Sequence, residues 1–74
     1  MSPFLAKLAT ILEVDEVGAD ECLAAIETWD SVSALSVIAL VDADYGIALT
    51  AGDLLQNRTA GELERFVLGK ANGK

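Results

Sequence analysis

The residue pair Asp30-Ser31 places a lone hydroxyl where a helix is expected to begin. The free N–H groups and the positive dipole end of a helix N-terminus favour an anion, so a phosphate ester on Ser31 would be stabilised there. The simpler alternative is an N-cap, in which either side-chain oxygen accepts a hydrogen bond from a first-turn N–H. These two residues alone leave both interpretations open.

The other side chains offer little catalytic chemistry. The sequence has no histidine, which removes the Ser-His-Asp and Cys-His nucleophile arrangements and the commonest zinc ligand. Neighbouring carboxylates, such as Asp15 with Glu16 and Asp42 with Asp44, could transfer protons in principle, but solvated acidic surface accounts for them. We therefore predict no catalytic residue, no metal site and no enzyme activity of the chain's own.

The length of 74 residues predicts a single domain, 1–74, that buries about 60% of the surface of its unfolded chain and has no deep cleft. The net charge of -7 disfavours nucleic acid and anionic membranes and favours partner proteins with basic docking surfaces. We expect a monomer with an ordered core over residues 3–69 and a flexible tail over residues 70–74.

The single cysteine, Cys22, cannot form an intramolecular disulfide, and we interpret it as a small, semi-buried apolar residue. The start, "MSPFLAKLATIL", lacks the charged region and long apolar core of a secretion signal, which predicts a cytoplasmic protein. No membrane span is expected either, because the longest apolar run is interrupted by Ser33, Ser36, Asp42 and Asp44.

A first helix is predicted over residues 3–13. Ser2 and Pro3 suit the cap and the first helical position, and apolar residues follow at spacings of three and four. The next stretch, "VDEVGADECLAAIETWD", is a long loop that is expected to contain a short helical turn capped by Asp20. Trp29, near its end, is interpreted as an apolar plug at the entrance of the following helix.

The second helix is predicted over residues 31–45, with Gly46 as a left-handed stop. At about 100° per residue, one broad arc is expected to face the core; it comprises Ala34, Leu35, Val37, Ile38, Val41 and Tyr45. The other side, with Val32, Ser36, Ala39 and Ala43, is small and nearly uncharged. An idle solvent face would usually carry Lys and Glu, so this side suits contact with another protein.

Two capping boxes follow. "TAGD" and "TAGE" match the Ser/Thr-x-x-acid pattern, and each is expected to open a helix. The first helix is short, contains Leu54 and Leu55, and closes near Asn57; the second is predicted to close at Gly69. The count of three main helices, one short helix and a long first loop predicts an all-α, four-helix bundle.

Together these features resemble the acyl carrier protein family. The resemblance covers roughly residues 4–68 and rests on "LAAIETWDS", "WDSVSALSVIALVDADYGI", "TAGDLL" and "TAGELERFV". It implies that Ser31 is the attachment point for 4'-phosphopantetheine, donated from coenzyme A by a separate phosphopantetheinyl transferase that needs Mg²⁺, and that Asp30 helps to present Ser31. The arm's thiol would then carry acyl groups as thioesters, and acyl-loading and acyl-modifying partner enzymes would supply the catalytic groups.

The resemblance also implies which residues meet partners and which form the core. The partner face would consist of Val32, Ser36, Ala39, Asp42 and Ala43, with Asp44 nearby. The core positions would be filled by Leu35, Ile38, Val41 and Tyr45. Short acyl chains would be sheltered between the second helix and Leu54 or Leu55.

Departures from the family pattern bear on the pathway. Asp-Ser-Leu is the usual tripeptide, but Val32 follows Ser31 here, and small neutral residues replace the Glu and Asp typical of this helix in fatty-acid carriers. We therefore expect a specialised lipid, polyketide or related pathway rather than general fatty acid biosynthesis. An aminoacyl or peptidyl carrier, and a helical interaction module without a prosthetic group, remain the alternatives.

Overall fold

Four α-helices and one 3-10 turn make up the chain in the computed structural model, which describes residues 2–72. The helices are α1 (Pro3–Leu12), α2 (Ser31–Tyr45), α3 (Ala51–Gln56) and α4 (Ala60–Asn72), and the 3-10 turn spans Leu23–Ala25. Because α2 packs against each of the other three helices, it is the central element. The predicted all-α bundle, with a long first loop and one short helix, is confirmed.

The helix starts follow the predicted capping chemistry. The Ser2 hydroxyl accepts from the Leu5 N–H at 3.2 Å and donates to the Glu64 carboxylate, so the cap of α1 also contacts α4. Thr50 and Asp53 form a complete capping box at α3. Thr59 and Glu62 exchange the same two bonds at α4, at 3.1 and 3.3 Å.

One hydrophobic core joins all four helices. Its fully buried large side chains are Phe4, Leu8, Leu12, Val37, Val41, Leu63 and Val67. In α2 the buried line is Ser33, Val37 and Val41, which are spaced by four residues and so share one face of a helix. Ala34, Ile38 and Tyr45 are half-buried beside this line.

Four sequence-based expectations about burial and helix boundaries were wrong. Leu35 is 65% exposed, because α2 packs along the Ser33 line and the predicted arc was too broad. Cys22 is exposed, because it is its backbone that pairs with Thr59, in an isolated antiparallel β-bridge. The 3-10 turn begins after Cys22, so Asp20 does not cap it. Helix α4 continues through Gly69 to Asn72, because this glycine does not take a left-handed conformation.

The other boundaries lie within one residue of those predicted from the sequence. Helix α1 ends at Leu12, and Glu13 caps it in the left-handed region with φ 58°. Gly46, with φ 68°, caps α2, and Asn57 caps α3. Of the tail predicted to be flexible, residues 70–72 continue α4, while residues 73 and 74 lie outside the described residues.

The long first loop is held against the start of α4 by backbone hydrogen bonds. The Gly61 N–H donates to the Ala19 carbonyl at 2.7 Å, the Ala60 N–H to the Glu21 carbonyl at 3.0 Å, and the Leu23 N–H to the Arg58 carbonyl at 2.9 Å. A side chain at Gly61 would block this approach, because an added Cβ would lie 2.7 Å from the Ala19 carbonyl oxygen.

Gly61→Ala is therefore expected to lower the free energy of unfolding by about 1–3 kcal/mol, the usual range for overpacking a tight contact. Gly69→Ala is the matched control, since both glycines lie in α4 and no atom lies within 4 Å of an added Cβ at Gly69. The control should gain about 0.5–1 kcal/mol from helix propensity. Urea unfolding of both variants measures the difference, and equal midpoints would contradict the close approach at Gly61.

Candidate functional site

Ser31 is the first residue of α2, and its side chain is exposed. Within residues 2–72 its hydroxyl makes no hydrogen bond, whereas the neighbouring Asp30 is the N-cap and its carboxylate accepts from the Ser33 N–H at 2.8 Å. The two sequence interpretations of this pair therefore apply to different residues. Asp30 caps the helix, and the Ser31 hydroxyl stays available for chemistry at the helix N-terminus.

A chain of side-chain hydrogen bonds fixes the backbone on which Ser31 sits. The Thr28 hydroxyl donates to the Leu12 carbonyl at 2.7 Å, and the buried Ser33 hydroxyl donates to the Thr28 carbonyl at 3.0 Å. These bonds join the end of α1, the first loop and the first turn of α2. Since Ser33 also donates its N–H to Asp30, the segment around Ser31 is held on both sides.

The hydrogen bond from the Ser33 backbone N–H is the main cause that lowers the pKa of the Asp30 carboxyl. The ionised form is therefore favoured in the folded chain. At the positive end of the helix dipole a negative cap is also favourable. Asp30 is consequently charged beside Ser31 at neutral pH.

This pKa shift predicts a pH-dependent contribution of Asp30 to stability. A carboxyl whose pKa is lower in the folded than in the unfolded chain stabilises the fold above its unfolded pKa of about 4, and this contribution disappears as the pH falls through the lower, folded pKa. Asp30→Asn keeps a good cap without the charge. We expect the variant to unfold at lower urea concentration than wild type at neutral pH, with the difference vanishing in acid.

Asp42→Asn is the control for this comparison. Asp42 lies in the last turn of the same helix, where a negative charge meets the negative dipole end. Its replacement should raise the urea midpoint at neutral pH or leave it unchanged. A lower midpoint for both variants would mean that general charge loss, rather than the position of Asp30, determines the effect.

Two surface cavities border the start of α2. The more polar one, about 420 Å³, lies between the end of α1 and the first turns of α2; Glu13, Thr28, Asp30, Val32 and Ser36 line part of it. The second, about 480 Å³, lies between the first loop, α2 and α3; its lining is Cys22, Leu23, Ala24, Trp29, Ala34, Ala51, Leu54, Leu55 and Arg58. The second cavity, which we call the apolar cavity, is predominantly hydrocarbon.

The apolar cavity lies where the family resemblance implied a shelter, between α2 and the Leu54-Leu55 pair. Leu54 is buried and forms its inner wall, while Leu55 is 80% exposed at its edge. Trp29 is half-buried, packs against the core and lines the same cavity. The side chain interpreted as a plug is therefore also a wall of a space large enough for a short chain of methylene groups.

All six residues of the expected partner face are exposed: Val32, Ser36, Ala39, Asp42, Ala43 and Asp44. Asp44 forms an ion pair with Lys7 at 2.8 Å, and this hydrogen bond raises the pKa of the Lys7 ammonium. The same ammonium lies 5.1 Å from the Tyr45 ring centroid. Asp44 thus has an internal partner, which Asp42 lacks among the described residues.

Sequence reasoning missed Thr28 and Ser33, which hold the start of α2, and Arg58, which lines the apolar cavity. Ser33 follows Asp30 at the N3 position, which could have identified it as the N–H donor to the cap. Its burial, and the bond that the Thr28 hydroxyl makes to the end of α1, depend on the path of the loop. The position of Arg58 in the cavity wall likewise required the tertiary structure, because its backbone partner, Leu23, lies 35 positions earlier in the sequence.

Metal sites and membrane spans are not found in residues 2–72. No group of three or more histidine, cysteine or carboxylate side chains in this range is arranged to hold a metal ion. None of the helices in the same range is both long enough and apolar enough to cross a membrane.

Comparison with protein families gives a match that covers most of the chain. Residues 3–67 match the family described as "Phosphopantetheine attachment site". No curated protein and no solved structure matches the sequence. The matched range contains Ser31, both cavities and all four helix starts. The exposed Ser31 hydroxyl, which makes no hydrogen bond within residues 2–72, fits a site for a covalent arm.

Proposed function

Because the chain belongs to the phosphopantetheine attachment-site family, and such a domain is the attachment site for covalently bound 4'-phosphopantetheine, we propose that Ser31 is the residue that carries the arm. The observation that carries this proposal is the exposed Ser31 hydroxyl, which has no partner within residues 2–72 and follows the capping Asp30 directly. The protein is a carrier of acyl groups and a substrate of its partner enzymes.

Ser31, Asp30 and Ser33 each have a defined part in the loading reaction. The Ser31 oxygen forms the phosphoester bond to the pantetheine phosphate of coenzyme A, the nucleotide portion leaves, and the hydroxyl proton passes to a base of the transferase. Asp30 and Ser33 hold the first turn of α2 so that this hydroxyl points outward. The attached group supplies a thiol that carries cargo as a thioester.

The partners are a phosphopantetheinyl transferase and the enzymes that load and modify acyl groups. The net charge of -7 steers basic docking surfaces toward the carrier. The exposed α2 residues Val32, Ser36, Ala39, Asp42 and Ala43 form the contact face, with Asp44 at its end. The absence of charge from residues 31–41 supports a specialised lipid, polyketide or related pathway. A location in the cytoplasm is part of the same proposal.

The test is the intact mass of the protein after incubation with coenzyme A, Mg²⁺ and a broad-specificity phosphopantetheinyl transferase. The expected result is a gain of one phosphopantetheinyl group per chain. If the mass stays unchanged while the transferase modifies another carrier in the same tube, Ser31 is not its substrate, and the interaction-module alternative gains support.

We propose that the cargo is an acyl chain rather than an aminoacyl or peptidyl group. The predominantly hydrocarbon lining of the apolar cavity supports this choice. We expect an eight-carbon acyl group on the arm to shift the fluorescence of Trp29, the only tryptophan, to shorter wavelength, because the chain displaces water from its ring. A glycyl group on the same arm is the control and should leave the emission unchanged. Equal spectra for both cargoes would favour the aminoacyl alternative.

A further inference from the structure

Among residues 2–72, Arg58 is the one charged residue in the lining of the apolar cavity. From its position we infer that the cavity selects acyl groups that carry a carboxylate at their far end, whose oxygens the Arg58 guanidinium binds while the methylene groups contact Leu54 and Trp29. This inference rests on the proposed carrier function. It adds a chemical class of cargo and a residue that recognises it.

The backbone of Arg58 is fixed in the cavity wall from two directions. Its N–H donates to the Glu62 carboxylate at 2.9 Å, and its carbonyl accepts from the Leu23 N–H at 2.9 Å. Leu23 is itself a buried residue of the cavity lining. The exposed side chain of Arg58 therefore extends from a fixed backbone position in the cavity wall.

The guanidinium is also available for a ligand. In the part of the chain that the structure describes, the ion pair present joins Lys7 to Asp44, and Arg58 has none. The carboxylate closest in sequence, Glu62, already accepts the N–H groups of Arg58 and Thr59 through its Oε1 atom. A chain with twelve carboxylates thus leaves this cation unpaired at the edge of an apolar surface.

The chemistry of the cavity matches a terminal carboxylate on a short chain. A guanidinium presents a planar set of donors that bind carboxylate oxygens in pairs, and apolar walls reduce competition from water. A plain alkyl chain would use the walls but not Arg58. The ordinary alternative is that the arginine stem covers apolar surface while its head stays in water, in which case cargo with and without a carboxylate would bind equally.

The phosphate of the arm is a second anion that Arg58 could reach. Because the phosphate is present whatever the cargo, an arm without cargo shows whether Arg58 binds the phosphate of the arm or the carboxylate of the cargo. Binding of the phosphate would make Arg58 a general feature of the loaded protein, and the cavity would then have no preference for acidic cargo.

The experiment compares pentanoyl and glutaryl groups, which have the same number of carbons and end in a methyl group and a carboxylate respectively. Each is joined to the arm through an amide in place of the thioester, so Cys22 is the only thiol in the chain. Cys22 lines the apolar cavity, and its rate of alkylation by iodoacetamide, a neutral reagent, reports how often cargo occupies the cavity. Intact mass first confirms one arm per chain; a chain that accepts no arm would overturn the carrier function and this inference together.

In wild type, we expect glutaryl cargo to slow Cys22 alkylation about threefold more than pentanoyl cargo, the size of effect that an exposed ion pair supplies. Arg58→Gln should abolish this ratio, and Arg58→Lys should retain part of it. Arg65→Gln is the matched control, because Arg65 is an arginine of α4 outside the cavity lining, and it should keep the wild-type ratio.

Three results would overturn the inference while leaving the carrier function intact. The first is equal protection by the two cargoes in wild type, and the second is a ratio that survives Arg58→Gln. The third is a change in Cys22 alkylation caused by Arg58→Gln in chains whose arm ends in a methyl group without cargo, with the same magnitude as in glutaryl-loaded chains. That outcome would assign Arg58 to the phosphate of the arm.

Discussion

Replacing Ser31 with alanine is expected to abolish attachment of the phosphopantetheine arm completely while the four-helix bundle stays folded. Alanine offers no oxygen for the phosphoester, so the loss is chemical rather than a reduction in affinity. The fold should be preserved because the Ser31 side chain is exposed and makes no hydrogen bond within residues 2–72, and exposed substitutions of this kind change the unfolding free energy by about 0.5 kcal/mol or less.

Thr10→Ala is the control for this experiment. Thr10 is an exposed hydroxyl residue of α1, outside the proposed contact face, so its variant should gain one arm per chain, as wild type does. Intact mass after the transferase reaction reads out all three proteins, and circular dichroism verifies that each is folded. An arm attached to the Ser31→Ala chain would place the modification on another hydroxyl and refute the assignment of Ser31.

Leu63→Ala should lower the free energy of unfolding by about 2–5 kcal/mol, a larger loss than the one expected for Gly61→Ala. Leu63 is fully buried in α4, where it packs in the core that joins the four helices. A chain of this length is expected to have a total stability of about 4–11 kcal/mol. Loss of this one side chain would therefore leave a substantial unfolded fraction, which thermal or urea unfolding measures directly.

Leu68→Ala provides the control for Leu63→Ala, because Leu68 is a leucine of the same helix that is 39% exposed. Its replacement should cost about 1 kcal/mol or less, since less apolar surface returns to water. Ile38→Ala should fall between the two, because Ile38 is half-buried beside the core. Similar losses for Leu63→Ala and Leu68→Ala would contradict the packing of α4.

Local sequence patterns predicted the helices and most of their boundaries. Ser2 and Pro3, the two Thr-Ala-Gly capping boxes and Gly46 act within one turn of the chain, so their effect does not depend on distant residues. The predicted end of α4 was wrong. Glycine is a common helix stop, but Gly69 has no local feature that prevents the helix from continuing.

The arrangement around Ser31 was predicted only in part. The Asp30-Ser31 pair was identified from the sequence, and the shelter beside Leu54 and Leu55 from the family resemblance. The match of residues 3–67 shows the phosphopantetheine attachment-site family, and Ser31 as the modified residue stays a prediction. The hydrogen bonds of Thr28 and Ser33 were not predicted. They join residues in three different elements, and no spacing rule relates a loop hydroxyl to the end of α1.

The sequence by itself determined the helical class, the helix starts, the net charge of -7 and the family of the chain, because each depends on composition or on residues within a few positions of one another. Only the tertiary structure decided that Leu35 is exposed, that Ser33 is buried, and that Cys22, Trp29 and Arg58 share one cavity. The physical reason is that burial depends on the rotation of each helix against its neighbours and on the path of the long loop. Contacts between distant residues set both.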